Sequence, residues 1–291
     1  MKRSAARASH QTTGGPPALR IPSGAASVVA RRKPFGDDLT SRASLRNHVL
    51  GVVLSLLAFA LLAGAVATGE TAGWDAALSN TIHGCRSLSL DRLMVESTYL
   101  GSWPVILAGG VVATACLLAT KRRSEALAVV ASLVVNDSVI SVIKTLVARS
   151  RPNQLEAILP AAGASFPSGH TFSAWALFGL LALLAWRTRL PPLVKLAPVA
   201  LGSLLIVAVG FSRIYVGAHW PTDVIGSCLL GFCWLAVVDM ALTLVGGRMS
   251  VQPISPRYEV GVWALGIGCW IAFVVMLAFL VPTAVRTPAL A

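Results

Sequence analysis

The apolar residues of the chain fall into long runs that are separated by short polar segments. Seven of these runs are long enough to cross a bilayer, which takes roughly 20 residues of helix. The predicted spans are residues 48–68, 102–120, 125–147, 171–187, 193–211, 222–245 and 261–282. The pattern therefore predicts an all-α protein, a polytopic bundle of transmembrane helices.

The composition agrees with this prediction and adds a charged N-terminal segment. Of 291 residues, 55% are hydrophobic and only 12% are charged, about half the charge of a soluble chain. Residues 1–47 carry much of the net charge of +12, are rich in Gly, Pro, Ser and Ala, and show no apolar period. We predict a disordered basic tail that is attracted to anionic lipid head groups, not to nucleic acid.

Loop charges predict the orientation. The segments 120–125, 186–195 and 246–259 are basic, and the positive-inside rule places them in the cytoplasm with the N-terminus. The segments 148–170 and 212–221 then lie outside although they are also basic. Because these two outer segments break the charge rule, their charges are expected to serve chemistry.

Two cations lie near the outer end of the third predicted span, in the sequence KTLVARSRP. Arg151 follows Lys144 by about two helical turns, so both share a face if the helix continues. Pro152 disfavours helix at the residue before it, so the helix is expected to stop about there. The two side chains either reach for the interface, as Lys and Arg often do, or bind an anion.

The sequence FPSGHTF, residues 166–172, begins the fourth predicted span. Ser168 is a natural N-cap, and Gly169 leaves the backbone uncovered. A helix N-terminus of this kind offers free N–H groups to an anion. His170 is expected in the first turn, so the segment is either an ordinary cap with an interfacial His or part of an anion site.

The sequence FSRIYVGAHWPTD, residues 211–223, joins the fifth and sixth predicted spans. Pro221 suits the first turn of a helix, and Asp223 then falls in the same turn. Its carboxylate is expected to point back toward His219, which would fix the imidazole tautomer and leave the other nitrogen free as a nucleophile. Arg213 lies at the outer end of the fifth span and supplies a third cation.

All three clusters are predicted on the outer face, and together they suit a phosphoryl group. Cations and backbone donors neutralise the phosphate oxygens while one His attacks and the other protonates the leaving oxygen. The set resembles the three-part signature of the type 2 phosphatidic acid phosphatase (PAP2) superfamily. The matching residues are Lys144-x6-Arg151-Pro152, Pro167-Ser168-Gly169-His170 and Ser212-Arg213-x5-His219-x3-Asp223.

The resemblance implies a role for each of these residues. His219 would attack phosphorus to form a phosphohistidine, oriented by Asp223, and His170 would protonate the leaving group and then activate water. The phosphate oxygens would be bound by Lys144, Arg151, Ser168, Gly169 and Arg213. The family needs no metal or other cofactor.

The resemblance also implies a domain organisation and a class of substrate. The six-span phosphatase core would be residues 48–245, followed at 246–291 by a cytoplasmic loop and an additional helix. We expect a multi-pass protein of the inner (plasma) membrane that hydrolyses undecaprenyl pyrophosphate, phosphatidate or phosphatidylglycerol phosphate at the periplasmic or extracellular face. The sequence does not indicate an oligomeric state.

Two other functions use part of the same residues. An intramembrane serine hydrolase would combine Ser168, His219 and Asp223, but it leaves the three cations without a task. A non-catalytic lipid binder or transporter would use the cations and leave the histidines unexplained. A vanadium haloperoxidase, another member of the same superfamily, is disfavoured because the haloperoxidases resemble soluble proteins, whereas this chain is predicted to span the membrane.

Two further segments carry hypotheses. Asp137, beside Asn136, falls near the middle of the third span, where an ionised carboxylate is costly, so a polar contact inside the bundle is expected. The segment 153–166 lies between two clusters and could act as a lid. The five cysteines predict neither a disulfide framework nor a metal site.

Overall fold

The computed structural model describes residues 35–188, 191–246 and 256–280, and all regular structure in these ranges is helical. The predicted all-α membrane bundle is therefore confirmed. The helices are α1 (Phe35–Ala67), α2 (Ala72–His83), α3 (Leu88–Tyr99), α4 (Trp103–Ala119), α5 (Arg123–Val147), α6 (Gly169–Ala174), α7 (Leu180–Trp186), α8 (Pro192–Tyr215), α9 (Pro221–Gly246) and α10 (Pro256–Leu280).

Six of the described helical segments are long and apolar enough to cross a membrane. The predicted second span corresponds to α4, which has 17 residues and qualifies only together with α3, from which it is bent by 49°. The fourth predicted span consists of α6 and α7 joined by a π-helical turn, Trp175–Gly179. The end of the seventh predicted span, residues 281–282, lies outside the described residues.

Helix α1 begins earlier than the sequence predicts. Disorder was expected up to residue 47, but the helix already starts at Phe35. Residues 1–34 of the predicted tail lie outside the described residues.

The helices pack around apolar clusters that run through the bundle. One cluster joins α4, α5, α7 and α9, and a second joins α4, α5, α6 and α8. At the end of the bundle near the end of α8, the short helix α3 packs on α8. Helix α10 packs on α4, where Trp270 donates a hydrogen bond to the Val105 carbonyl (3.1 Å).

The segment 69–101, which connects the first two predicted spans, forms α2 and α3. Ser87 is the N-cap of α3, and its hydroxyl accepts a hydrogen bond from the Leu90 N–H (3.5 Å). Met94, Val95 and Thr98 form the buried face of α3. These two helices cover the end of the bundle that holds the three sequence clusters.

Candidate active site

The three clusters meet where four helix ends come together. Helix α5 ends at Val147, α6 begins at Gly169, α8 ends at Tyr215 and α9 begins at Pro221. The left-handed conformation of Ala148 (φ 46°) ends α5. Because these four ends lie at one end of the bundle, residues up to 79 positions apart in the sequence share one site.

A tight turn after α8 positions His219. The N–H groups of Ala218 and His219 both donate to the Arg213 carbonyl (3.1 Å each). Gly217 in this turn has a φ of 77°, and a Cβ there would lie 3.1 Å from the Ala157 Cα. The turn therefore requires glycine both for its backbone conformation and for the close approach of the neighbouring loop.

Asp223 contacts His219 from the first turn of α9. Its Oδ2 lies 3.3 Å from His219 Nδ1 and also accepts hydrogen bonds from the Trp220 N–H (2.8 Å) and the Ser165 hydroxyl. Asp223 is fully buried and His219 is 2% exposed. The carboxylate thus fixes the imidazole ring from the protein side.

The other nitrogen of His219 faces Arg151. Arg151 Nη1 lies 3.2 Å from His219 Nε2, and since a guanidinium can only donate, Nε2 accepts and Nδ1 carries the proton. Burial lowers the pKa of His219 to about 4, although the hydrogen bond to Asp223 opposes this shift. His219 is therefore neutral at pH 7, with the Nε2 lone pair in the site.

Lys144 and Arg151 come together without a common helix face. Helix α5 ends before Arg151, which lies in the following loop. Lys144 Nζ donates to the Ala164 carbonyl (2.9 Å), and Arg151 Nη2 donates to the same oxygen (3.2 Å). Arg151 also donates to the carbonyls of Ala162, Gly163 and Ala218.

Arg213 is the most buried of the three predicted cations, with 5% exposure. Its Nη1 donates to the Thr98 hydroxyl (2.6 Å), and its buried Nε has no partner. Within the described part of the chain, neither Lys144, Arg151 nor Arg213 forms an ion pair with a carboxylate. The site therefore holds positive charge that the neighbouring side chains do not neutralise.

Ser168 occupies the predicted N-cap position of α6, but the expected side-chain cap is wrong. Its hydroxyl makes no hydrogen bond to the helix N-terminus and accepts one from the Thr171 hydroxyl instead (3.0 Å). The Ser168 N–H donates to the Asp223 carbonyl (3.2 Å), and its own carbonyl accepts from Ser227 (2.8 Å). These backbone contacts fasten the start of α6 to α9.

Gly169 and His170 form the first turn of α6. A Cβ on Gly169 would approach only Ile140 (3.7 Å), so the surrounding protein leaves this backbone uncovered. His170 is partly buried and lies within electrostatic range of Arg213, His219, Lys144 and Arg151. The structure thus brings all eight sequence-predicted residues to one place.

Arg149 is a site residue that the sequence reasoning missed. Its Nη1 donates to Asp223 Oδ1 (2.8 Å), and its Nη2 donates to Asp75 Oδ2 (2.5 Å). The only signal in the sequence was a third cation between Lys144 and Arg151. Ser165 and Thr98, which contact Asp223 and Arg213, were missed because no spacing rule connects them to the clusters.

The expected contact of Asp137 inside the bundle is wrong. Asn136 faces inward and donates to the Ser173 hydroxyl (2.8 Å), so Asp137, about 100° further around the helix, faces outward. It is exposed, and no hydrogen bond or ion pair to it is found in the described ranges. The polar contact inside the bundle is formed by Asn136 instead.

The segment 153–166, suggested as a lid, is fixed to the turn after α8. The Ile158 N–H donates to the Val216 carbonyl (2.9 Å), and Arg86 bridges the carbonyls of Glu156 and Tyr215 (2.9 Å each). In this structure the segment forms a wall of the site. Its action as a lid stays a prediction.

The donor set suits an anion better than a metal ion. Of the residues that the structure describes, no three or more His, Cys, Asp and Glu side chains are grouped closely enough to hold a metal. Beside Lys144 and Arg149 lies an open cavity of about 580 Å³, which Gly163 and Ala164 line on the other side. This cavity is a route by which a ligand could reach Lys144 from outside the bundle.

Comparisons with known proteins agree with this geometry. The family profile described as the PAP2 superfamily matches residues 125–243, which include all eight predicted residues. The chain is 28% identical over 177 residues to a phosphatidylglycerophosphatase B of Bacillus subtilis, covering 60% of this chain and 86% of the relative. It is 35% identical over 137 residues to a decaprenylphosphoryl-5-phosphoribose phosphatase of Mycobacterium tuberculosis, covering 45% of this chain and 68% of the relative.

A solved structure supports the same assignment. It is the crystal structure of a transmembrane PAP2 type phosphatidylglycerolphosphate phosphatase from Bacillus subtilis, with a TM-score of 0.58 and 25% identity. The alignment covers 69% of this chain and 98% of that one. The chain belongs to the PAP2 superfamily.

Proposed function

We propose that this protein hydrolyses the phosphomonoester or pyrophosphate of a membrane lipid through a phosphohistidine on His219. The observation that carries the proposal is the charge imbalance of the site. Lys144, Arg151 and Arg213 converge without a carboxylate partner in the described chain, and the Arg213 Nε is buried and unpaired. Buried charges are normally paired, so the site is built for an anion that the ligand supplies.

The first chemical step uses the two faces of His219. Its Nε2 lone pair attacks phosphorus, the bond from phosphorus to the leaving oxygen breaks, and His170 gives its proton to that oxygen. Asp223 stabilises the imidazolium-like His219 through Nδ1 (3.3 Å). Arg151, which contacts Nε2 in this structure, moves its hydrogen bond to a phosphate oxygen as the nucleophile is released.

The second step reverses these roles. His170, now neutral, accepts a proton from water while the water oxygen attacks phosphorus. The bond between phosphorus and Nε2 breaks, phosphate leaves, and His170 is again protonated for the next cycle. Lys144, Arg151 and Arg213 stabilise the charge on the equatorial oxygens in both transition states, as preorganised donors do in phosphoryl transfer.

In this proposal the site lies on the side of the inner (plasma) membrane that faces away from the cytoplasm. The cations Lys121 and Arg187 lie at the opposite ends of the helices from His219, and the positive-inside rule places such cations in the cytoplasm. The N-terminus is then cytoplasmic and the site periplasmic or extracellular. The lipid tail stays in the hydrocarbon while the phosphate enters beside Lys144.

Phosphatidylglycerol phosphate, phosphatidate and undecaprenyl pyrophosphate are the proposed substrates to test first. Three relatives are named as a phosphatidylglycerophosphatase, an undecaprenyl-diphosphatase and a decaprenylphosphoryl-5-phosphoribose phosphatase. The serine-hydrolase alternative gains no support, because the Ser168 hydroxyl contacts Thr171 and not His219. Ser165 approaches His219, but its hydroxyl donates to Asp223.

The experiment is phosphate release by the purified protein in detergent with EDTA present. The three lipids are tested with the wild type, His219→Ala and, as a matched control, His83→Ala, whose ring forms a hydrogen bond with the Ile214 carbonyl (3.0 Å). We expect release by the wild type and His83→Ala and none by His219→Ala. Equal release by His219→Ala would exclude the proposed nucleophile.

A further inference from the structure

Arg149 differs from the other cations of the site because its charge is already paired. It forms ion pairs with Asp75 and Asp223 (2.5 and 2.8 Å), and its Nη1 also donates to the Thr222 hydroxyl (2.7 Å). The guanidinium stacks over the Trp220 ring, 5.6 Å from its centroid. Its Nη2 also donates to the Thr71 hydroxyl (3.3 Å), so both terminal nitrogens of Arg149 are already engaged by protein groups.

Asp75 holds Arg149 and the start of α9 at the same time. Its Oδ1 accepts the Thr222 N–H (2.9 Å), and its Oδ2 accepts the Thr222 hydroxyl (2.7 Å) as well as Arg149. Asp75 is fully buried and comes from α2, which lies before the stretch that matches the family profile. A helix outside that stretch thus supplies a carboxylate to the site.

The two oxygens of Asp223 have different tasks. Oδ1 binds Arg149, whereas Oδ2 receives His219 Nδ1, the Trp220 N–H and the Ser165 hydroxyl. Fixing Oδ1 fixes the carboxylate plane and therefore the direction in which Oδ2 meets the imidazole. Because Arg149 pairs with two carboxylates, it neutralises Asp223 only in part. Asp223 therefore still attracts a proton on His219.

We propose that Arg149, held by Asp75, is a positioning residue that orients Asp223 and sets how strongly Asp223 supports a charged His219. The proposal rests on the proposed function, in which His219 is the nucleophile. It assigns a task to α2, whose residues are absent from the three signature clusters. Asp75 and Arg149 contact Asp223 and Thr222, and neither contacts the attacking Nε2.

The charges around His219 determine what each substitution does. The groups that face it or Asp223 from the packed elements are Asp223 on α9, Arg213 on α8, His170 on α6, Lys144 on α5, and Arg151 and Arg149 in the loop after α5. Removing the Arg149 charge leaves Asp223 freer to stabilise the His219 imidazolium, which raises the pKa of His219. Removing the Asp75 charge leaves Asp223 as the only carboxylate that pairs with Arg149. Asp223 then stabilises the His219 imidazolium less, and the pKa of His219 is lowered.

The test combines three variants with two matched controls. Arg149→Gln removes the cation, Arg149→Lys keeps the charge but loses the fork that binds two carboxylates, and Asp75→Asn removes the outer carboxylate. Arg86→Gln and Asp91→Asn are controls, because they break partly buried hydrogen bonds to Tyr215 at the same end of the bundle without touching Asp223. All are assayed for kcat, KM and the pH dependence of kcat/KM.

We expect the Arg149 variants to lose about 10- to 100-fold in kcat, as when the partner that orients a metal-binding side chain is removed, with little change in KM. The acid limb of kcat/KM, which reports groups of the free enzyme, should move up by about one pH unit in Arg149→Gln. In Asp75→Asn the acid limb of kcat/KM should stay at the same pH or move to lower pH. The controls should keep kcat within about threefold and leave the limb in place.

Other results would overturn the proposal in distinguishable ways. Arg149→Gln leaves two buried carboxylates without a cation and can unfold, so Asp75→Asn, which keeps the Arg149–Asp223 pair matched, decides in that case. A folded Asp75→Asn with wild-type kcat, or an acid limb that moves the same way in both variants, contradicts the positioning role. If the wild type itself releases no phosphate, the proposed function fails instead.

Discussion

Arg213 provides the most quantitative test of the anion site, because it is buried and its charge is uncompensated. Orthovanadate, a tetrahedral anion like phosphate, should stabilise the folded protein by binding beside the three cations. At a concentration 100 times its Kd, a ligand adds about 2.7 kcal/mol to the free energy of unfolding. For a chain of this size that corresponds to a rise in Tm of about 5–11 °C.

The substitution Arg213→Met should remove most of this rise. A hydrogen bond to a charged group contributes about 1.5–3 kcal/mol, so the Kd for vanadate should increase about 10- to 150-fold. At the same vanadate concentration the stabilisation falls to about 0.3–1.3 kcal/mol, or about 1–5 °C in Tm. Thermal unfolding in detergent, with and without vanadate, measures both values.

The stability of the ligand-free variant makes the test sharper. Methionine removes a buried cation whose Nε has no partner, which is favourable, but it leaves the buried Thr98 hydroxyl without its donor, which is not. We therefore expect the ligand-free Tm to stay within about 4 °C of the wild type. Arg86→Met is the control and should keep the full vanadate shift. An unchanged vanadate shift in Arg213→Met would refute the reasoning.

Three further predictions follow from individual residues. The pKa of His219 is about 4 in the folded protein and 6.5 in the unfolded chain, so the unfolded chain binds the proton first as the pH falls. The free energy of unfolding, measured in urea, should therefore decrease between pH 6.5 and pH 4. His219→Gln should reduce this loss. Gly101→Ala should lower kcat about tenfold, since a Cβ there would lie 2.9 Å from the His170 carbonyl and overpacking costs about 1–3 kcal/mol. Gly64→Ala is the control and should not change kcat, because there is open space around Gly64. Equal kcat values for the two variants would contradict the account. Asp137→Asn should keep kcat and leave Tm unchanged or higher, because the exposed carboxylate has no partner in the described residues; a loss of activity would point to a role that this geometry does not contain.

The fold was predictable from the sequence wherever a long apolar run specifies a helix. The spans from residue 102 to residue 245 agree with α4 to α9 to within a few residues, because a chain in a bilayer must satisfy its backbone hydrogen bonds within each helix. The helices α2 and α3 were missed, since their mixed polarity reflects packing on α8 and α9 and not exposure to lipid. The break of the fourth span at Trp175–Gly179 also has no signal in its composition.

The residues of the site were predictable where the chemistry requires a residue type at a fixed spacing. His219 and Asp223 are four positions apart at the start of α9, and the turn after α8 together with the first turn of α9 brings their side chains to 3.3 Å. Asp75 could not be predicted, because its partner Arg149 is 74 positions away in the loop after α5, and the two side chains meet where both contact the start of α9. Ser168 was placed correctly at the N-cap, but the partner of its hydroxyl depends on Thr171, which competes with the backbone.

The phosphohistidine on His219 is the central claim, and trapping it is the most direct measurement. Wild type and His219→Ala are mixed with a lipid labelled with ³²P in the scissile phosphate and quenched in base within milliseconds. We predict a base-stable, acid-labile label on the peptide that contains His219 in the wild type, and none in His219→Ala. Turnover without any labelled protein, or a label on Ser168, would contradict the account.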